Sequence, residues 1–258
     1  MGRRLGQHFL FDPAILDRIV DALHPGPRDF VVEIGAGRGT LTKRLAPRVG
    51  SVVAIERDEP LASSLQVELP DNCTVKTADA LEVEWATERD PEVPYKVVGN
   101  IPYAITTPLI DKALDAPLPD CIVFLLQREV GDRLGASPGT KAYGGLTVGV
   151  QTVATVERIF VVRPGSFRPP PKVESVVIRL VPLAEPIVPA EDRPVFRRFV
   201  AGLFGQRRRQ LTRALRTVTG LSPEAVGDLI GPLGLDAAAR PEVLTPHEFA
   251  ALFAAVPR

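Results

Sequence analysis

The chain is poor in the residues that cross-linked and metal-bound proteins depend on. Its two cysteines, Cys73 and Cys121, lie far apart in apolar surroundings, with no Cys-x-x-Cys. They read as reduced core residues, which excludes a disulfide framework. Three histidines in 258 residues give little material for a metal centre, and none is expected. No apolar run is long enough to span a bilayer. The opening residues, Met1 to Gly6, lack the apolar core of a secretory signal, and position 6 is not the Ser or Thr that accompanies myristoylation. A monomer in the cytoplasm, without membrane attachment, is the expectation. Net charge is also missing. Lys and Arg total 31 and Asp and Glu total 31, so the overall balance gives no sign of a nucleic-acid binder.

The distribution of charge says more than the total. Between Arg193 and Pro223 there are eight arginines (Arg193, Arg197, Arg198, Arg207, Arg208, Arg209, Arg213 and Arg216) and no acidic residue. A second basic pair, Arg3-Arg4, opens the chain. Local clustering governs phosphate contact, so Arg3, Arg4, Arg207, Arg208 and Arg209 are candidate RNA-binding residues. The alternative for each is a solvated helix face. With 45% hydrophobic and 24% charged residues, the composition is that of a soluble globular protein with a real core. The length fits one large domain plus a small one.

The large domain alternates strands and helices. Helix Pro13–Leu23 starts behind the cap Asp12-Pro13. Strand Phe30–Ile34 runs into the turn Gly35-Ala36-Gly37-Arg38-Gly39 and a helix over 40–47. Strand Ser51–Ile55 ends at Glu56. Glycines let a backbone pass close beneath a ligand, and an acid after the second strand accepts ribose hydroxyls. This order means a nucleotide-like ligand, with NAD and S-adenosylmethionine both open. Glu33 inside the strand tilts the choice toward S-adenosylmethionine, as does Thr40 where a dinucleotide fingerprint has its third glycine. Strand Cys73–Thr77 leads to Asp79, which either accepts an adenine amine or caps a turn.

The apolar strand Tyr95–Gly99 then delivers Asn100-Ile101-Pro102-Tyr103. Proline ends the strand and holds an amide and an aromatic ring at its carboxyl end, where α/β sheets bind ligands. Adenine's exocyclic amine is a poor nucleophile. The Asn100 side-chain oxygen and the Ile101 carbonyl can accept its hydrogens and favour a tetrahedral nitrogen, while Tyr103 stacks on the base. The plainer alternative is a turn with a buried tyrosine. Helix 107–114, strand Cys121–Leu126, a helix from Arg128, a loop over 137–144, helix 145–155 and strand Ile159–Val162 follow. A proline-stiffened loop carries Phe167 toward strand 174–181, which together with Ile159–Val162 makes an antiparallel addition at one sheet edge. Phe167 either faces Tyr103 across a flipped base or plugs the core. A proline-rich stretch from Pro182 to Pro194 separates a small helical domain, with helices over 196–203, 208–218, 223–229 and 246–256.

Taken together, these motifs resemble the ribosomal RNA adenine dimethyltransferase family, and its small-subunit, 16S-type branch in particular. The resemblance rests on Gln7-His8-Phe9-Leu10, Glu33 to Gly39, Glu56, Asp79, Asn100 to Tyr103, Phe167 to Val173 and Phe204 to Leu211. It implies a Rossmann-like α/β methyltransferase sheet over residues 1–182 and an all-helical RNA-binding domain over 183–258. It also implies S-adenosylmethionine as cofactor and the small ribosomal subunit as partner. The activity implied is dimethylation of two adjacent adenosines in a hairpin near the 3′ end of the RNA, during ribosome biogenesis. His8, Leu10, Gly35, Gly37, Glu56, Asp79 and Asn100 would contact cofactor. Asn100, Ile101, Tyr103 and Phe167 would handle the base. The family often has Asn where His8 stands. Two other readings share the fold: a large-subunit enzyme of the antibiotic-resistance type, and a non-catalytic nucleic-acid-binding factor.

Overall fold

A computed structural model of the chain describes residues 7–87 and 89–257. Arg3 and Arg4 lie outside the described residues. The chain divides into two compact units. One takes the chain up to Gly131 together with Val156–Pro182, and the other takes Asp132–Thr155 together with everything from Leu183.

The first unit is built on a seven-stranded sheet. Its elements are β1 (Phe9–Leu10), α1 (Pro13–Ala22), β2 (Phe30–Ile34), α2 (Thr42–Leu45), β3 (Ser51–Glu56), α3 (Glu59–Glu68), β4 (Cys73–Thr77), β5 (Tyr95–Asn100), α4 (Thr106–Ala113), β6 (Cys121–Gln127), the start of α5 (Arg128–Leu134), most of β7 (Ala154–Val162), β8 (Phe167–Arg168) and β9 (Ser175–Pro182). The strand order is β4-β3-β2-β5-β6-β9-β7. Strands β2 to β6 pair in parallel, with Val32 opposite Val53 on one side and Val97 on the other. Every residue of β2 is buried, as expected for a strand covered on both faces. The chain winds outward from β2 through β3 to β4, returns to β5 on the other flank of β2, and continues to β6. The crevice at the carboxyl ends of β2 and β5 is therefore the switch point where doubly wound sheets bind ligands.

Local chemistry accounts for the elements. Asp12 caps α1, its carboxylate accepting from the backbone N–H of Ala14 at 3.0 Å and of Ile15 at 3.3 Å. Leu16, Ile19 and Val20 turn the buried face of α1 inward. Helix α3 is absent from the sequence reading. Its hydrophobic periodicity is weak, with only Ala62 and Leu65 buried, but Asp58 accepts from Leu61 N–H at 3.2 Å and Pro60 follows in the first turn. That cap was its legible signal. Helix 145–155 ends early. It stops at Gln151, and the chain is extended from Ala154, where Thr155, Val156, Ile159 and Val161 favour a strand. Strand β9 pairs antiparallel with β6, Phe124 opposite Ile178, and lies inside β7 in the strand order.

In the second unit, α6 (Gly145–Gln151), α7 (Arg193–Gly205), α8 (Leu211–Thr219), α9 (Pro223–Ile230) and α10 (Pro246–Ala255) enclose a separate core. The two units do not divide at a single boundary at 182/183. Ala136, Tyr143 and Val148 belong to the same buried cluster as Phe196, Leu215 and Phe249, so Asp132–Thr155 clusters with the C-terminal helices. In α7 the buried residues Phe196, Phe199, Val200 and Leu203 recur at helical spacing. Helix α10 carries a capping box, with Glu248 N–H donating to Thr245 Oγ1 at 3.2 Å and Thr245 N–H to Glu248 Oε2 at 2.7 Å. The rings of Phe204 and Phe249 stack with centroids 5.5 Å apart. Phe249→Ala removes a fully buried ring from the middle of this core. It is expected to lower stability by about 3–5 kcal/mol, read as a reduced urea midpoint.

Candidate active site

A cavity of about 250 Å³ opens at the switch point. The turn after β2, the ends of β3 and β5, Asp79 and the segment Gln7–Leu10 line it. Gly35, Gly37 and Gly39 all have positive φ, at 73°, 57° and 68°. The turn is held from below, because Gly35 N–H donates to the Ile55 carbonyl at 2.8 Å. No side chain rises from Gly35 or Gly37 toward the cavity.

Glu56 ends β3 with its carboxylate already organised. Oε2 accepts from Gly37 N–H at 2.8 Å and Oε1 from Asp58 N–H at 2.8 Å. Each oxygen keeps a lone pair free for a further donor. Glu33, in the middle of β2, is 2% exposed. Burial pushes its carboxyl up to about 8, against a hydrogen bond from Thr42 Oγ1 at 2.5 Å that lowers it, and with help from the nearby Glu56 charge. Near neutral pH the cavity therefore holds a protonated Glu33. Asp79 caps its turn and pairs with a neighbouring cation. Its Oδ1 accepts from Leu81 N–H at 2.9 Å and its Oδ2 pairs with Arg57 Nη1 at 3.1 Å.

At the end of β5, Asn100 Nδ2 donates to the His8 carbonyl at 2.8 Å. That bond occupies a donor of the amide and leaves Oδ1 as the acceptor. Ile101, in the same tetrapeptide, is buried and tied to β6 through its N–H, which donates to Leu125 at 3.0 Å. Tyr103 is half-buried and its hydroxyl meets Ser175 Oγ at 2.8 Å. Burial raises its phenol above the ordinary range while the Ser175 bond opposes this, so the ring is neutral. The His8 ring is held by Nδ1 against the Pro169 carbonyl at 2.8 Å and stands 5.7 Å from the Tyr103 ring.

The structure thus brings together His8, Leu10, Gly35, Gly37, Glu56, Asp79, Asn100, Ile101 and Tyr103 along one cavity. Phe167 stands apart from them. It is 2% exposed, belongs to the same core cluster as Leu10, and is not among the cavity-lining residues. Its strand β8 pairs with β1, Leu10 opposite Phe167, and both side chains turn into the core. The ring beside Tyr103 is His8. Arg207, Arg208 and Arg209 lie in the second unit, exposed in the turn between α7 and α8. Arg193 does not share that exposure. It is 5% exposed and its Nε donates to the Val188 carbonyl at 3.3 Å. Sequence reasoning missed Arg57, Thr42 and Ser175. Arg57 adjoins Glu56 and Thr42 lies two positions beyond Thr40, so both were legible as near neighbours, whereas Ser175 is 72 positions from Tyr103 and has no local signal.

The fold and cavity define a Rossmann-like methyltransferase. Residues 2–227 match the family model described as ribosomal RNA adenine dimethylase. The chain is 42% identical to the ribosomal RNA small subunit methyltransferase A of Geobacter metallireducens, over 97% of this chain and 93% of that one. It is 40% identical to the protein of the same name from Caldanaerobacter subterraneus, over 97% and 95%. Among solved structures, a dimethyladenosine transferase from Plasmodium falciparum superposes with a TM-score of 0.83 at 27% identity, covering 95% of this chain and 96% of that one. The 23S rRNA methyltransferase ErmE gives 0.73 at 29% identity, covering 96% and 99%. The chain belongs to the ribosomal RNA adenine dimethylase family.

The raised Glu33 carboxyl has a consequence for stability. A carboxyl that titrates near 4.5 when unfolded and about 8 when folded holds its proton more tightly in the folded state. The contribution of Glu33 to stability is fully present below 4.5 and is lost as pH rises through that window, by up to about 1.4 kcal/mol per pH unit. Glu33→Gln is expected to flatten this fall between pH 5 and 8, measured as melting temperature against pH.

Proposed function

We propose that the chain transfers methyl groups from S-adenosylmethionine to the N6 amines of two adjacent adenosines in a hairpin near the 3′ end of small-subunit rRNA. The observation that carries this reading is the hydrogen bond from Asn100 Nδ2 to the His8 carbonyl. It leaves Asn100 Oδ1 as an acceptor at the carboxyl end of β5, where an amine needs one. The small subunit is preferred over the large because relatives at 42% and 40% identity carry the small-subunit name.

The residues present fit the cofactor. Gly35 and Gly37 add no side chain to the cavity wall, and Glu56 offers two positioned oxygens for ribose hydroxyls. When bound, S-adenosylmethionine supplies an electrophilic methyl group on sulfur. Leu10, Asp79 and the His8 backbone complete the wall around it. Asn100 Oδ1 and the Ile101 carbonyl accept the amine hydrogens and draw the nitrogen lone pair out of the ring. Tyr103, fixed by Ser175, stacks on the base as a neutral ring. Protonated Glu33 keeps a second negative charge from standing beside Glu56.

The test is transfer of labelled methyl groups to unmodified small subunits, followed by mapping of the modified adenines. Asn100→Ala is expected to lower the single-turnover rate about 10²–10³-fold while sparing RNA affinity. The bond it removes strengthens only as the nitrogen turns tetrahedral and positive, so its loss falls on the chemical step. A rate near wild type would overturn the assignment of Asn100.

The second unit supplies RNA contact through Arg207, Arg208 and Arg209. Replacing all three with Gln is expected to reduce the salt slope of RNA binding by about 0.7–0.9 for each phosphate no longer neutralised, with cofactor affinity unchanged. Affinity titrations at several salt concentrations measure it, and an unchanged slope would return the cluster to a solvated face.

A further inference from the structure

Two arginine–phenylalanine pairs flank Leu10, and the first of them lines the cavity. Leu10 turns into the core, whereas Phe9 before it and Phe11, just beyond the end of β1, stay out of that buried cluster. The Arg38 guanidinium lies 5.0 Å from the centre of the Phe9 ring, and the Arg168 guanidinium 5.0 Å from that of Phe11. Phe9 is pinned to the glycine turn, since a Cβ on Gly37 would come within 3.1 Å of its ring. Phe9 and Arg38 are themselves part of the cavity wall. Phe11 continues outward, held by its N–H to the Ser166 carbonyl at 3.2 Å, and is 45% exposed, a large value for an aromatic residue. No carboxylate partners Arg38 or Arg168 among the described residues.

We propose that this ledge receives the nucleotide next to the target adenosine. Its base stacks on the open face of Phe11, and Arg168 and Arg38 take the flanking phosphates. The proposal rests on the methyltransferase reading above and assigns part of its substrate path. The occupant is single-stranded RNA, because in a duplex the base faces are hidden and only the backbone is presented. A stacked guanidinium keeps its N–H edge free, so each pair offers an aromatic surface and a phosphate donor at one place. A ledge joined to the cavity wall orders the strand on both sides of the base that enters.

The test uses the full-length protein and a fluorescein-labelled RNA hairpin whose loop carries two adjacent adenosines, with S-adenosylhomocysteine saturating. Phe11→Ala is expected to weaken hairpin binding about tenfold and Phe11→Trp to restore it. Arg168→Gln is expected to reduce the salt slope by about 0.7. Calorimetric affinity for S-adenosylhomocysteine stays at the wild-type value in all three. Wild-type hairpin affinity in Phe11→Ala, a loss that Trp does not restore, or a parallel loss of cofactor affinity overturns the ledge. So does weakened binding to whole small subunits with hairpin binding intact, which would make the occupant a protein. Methylation by the wild-type enzyme is measured alongside. If it proceeds while Phe11→Ala binds normally, only the ledge falls. If wild type transfers no methyl group, the underlying reading falls as well.

Discussion

The close approach of β5 to β2 is the constraint on which the site depends. Gly99 makes it possible. A Cβ there would meet the Ile34 carbonyl oxygen at 2.6 Å and the Ile34 Cβ at 3.1 Å, so any other residue would push the strands apart. With the strands in register, Ile34 opposite Gly99, the glycine turn leaves β2 beside the point where Asn100 leaves β5. The Gly35 backbone and the Asn100 carbonyl are then neighbours, a Cβ at Gly35 lying 3.6 Å from that oxygen. One parallel pairing thus brings a nucleotide-type cradle and an amide acceptor to the same crevice.

Around that crevice the polar groups are positioned mostly by backbone. Gly37 and Asp58 hold the Glu56 carboxylate, His8 orients the Asn100 amide, and Pro169 holds the His8 ring. Backbone donors and acceptors move little, so these groups face a ligand with little reorganisation left to do. Glu33 is the exception, a buried carboxyl whose partner is the Thr42 hydroxyl. Its protonation is the least expensive way to keep it in the sheet.

The short pairing of β1 with β8 joins segments more than 150 positions apart, Phe9 opposite Arg168 and Leu10 opposite Phe167. It explains why one motif aromatic, Phe167, is core and another, Phe9, lines the cavity. Phe167 shares the inward face with Leu10, while Phe9 and Phe11 stay out of that buried cluster. Neither segment shows this alone, because a two-residue strand has no periodicity to read.

The sequence by itself determined most of the sheet strands, the glycine turn, the acid after β3 and the tetrapeptide after β5, and read β7 only from Ile159. Each of these is written in local chemistry: β-branched runs, positive-φ glycines, a proline that ends a ladder. It determined most helices through caps and apolar spacing as well, and missed α3 where that spacing is weak. Tertiary structure alone decided which side chains meet. Tyr103 with Ser175, His8 with Pro169 and Asp79 with Arg57 are pairs made by the folded chain. The same holds for the place of Asp132–Thr155, which reads as part of the sheet domain in sequence order and packs with the C-terminal helices instead. Pairings of this kind depend on which buried surfaces fit together across the chain, and no window of neighbouring residues carries that information.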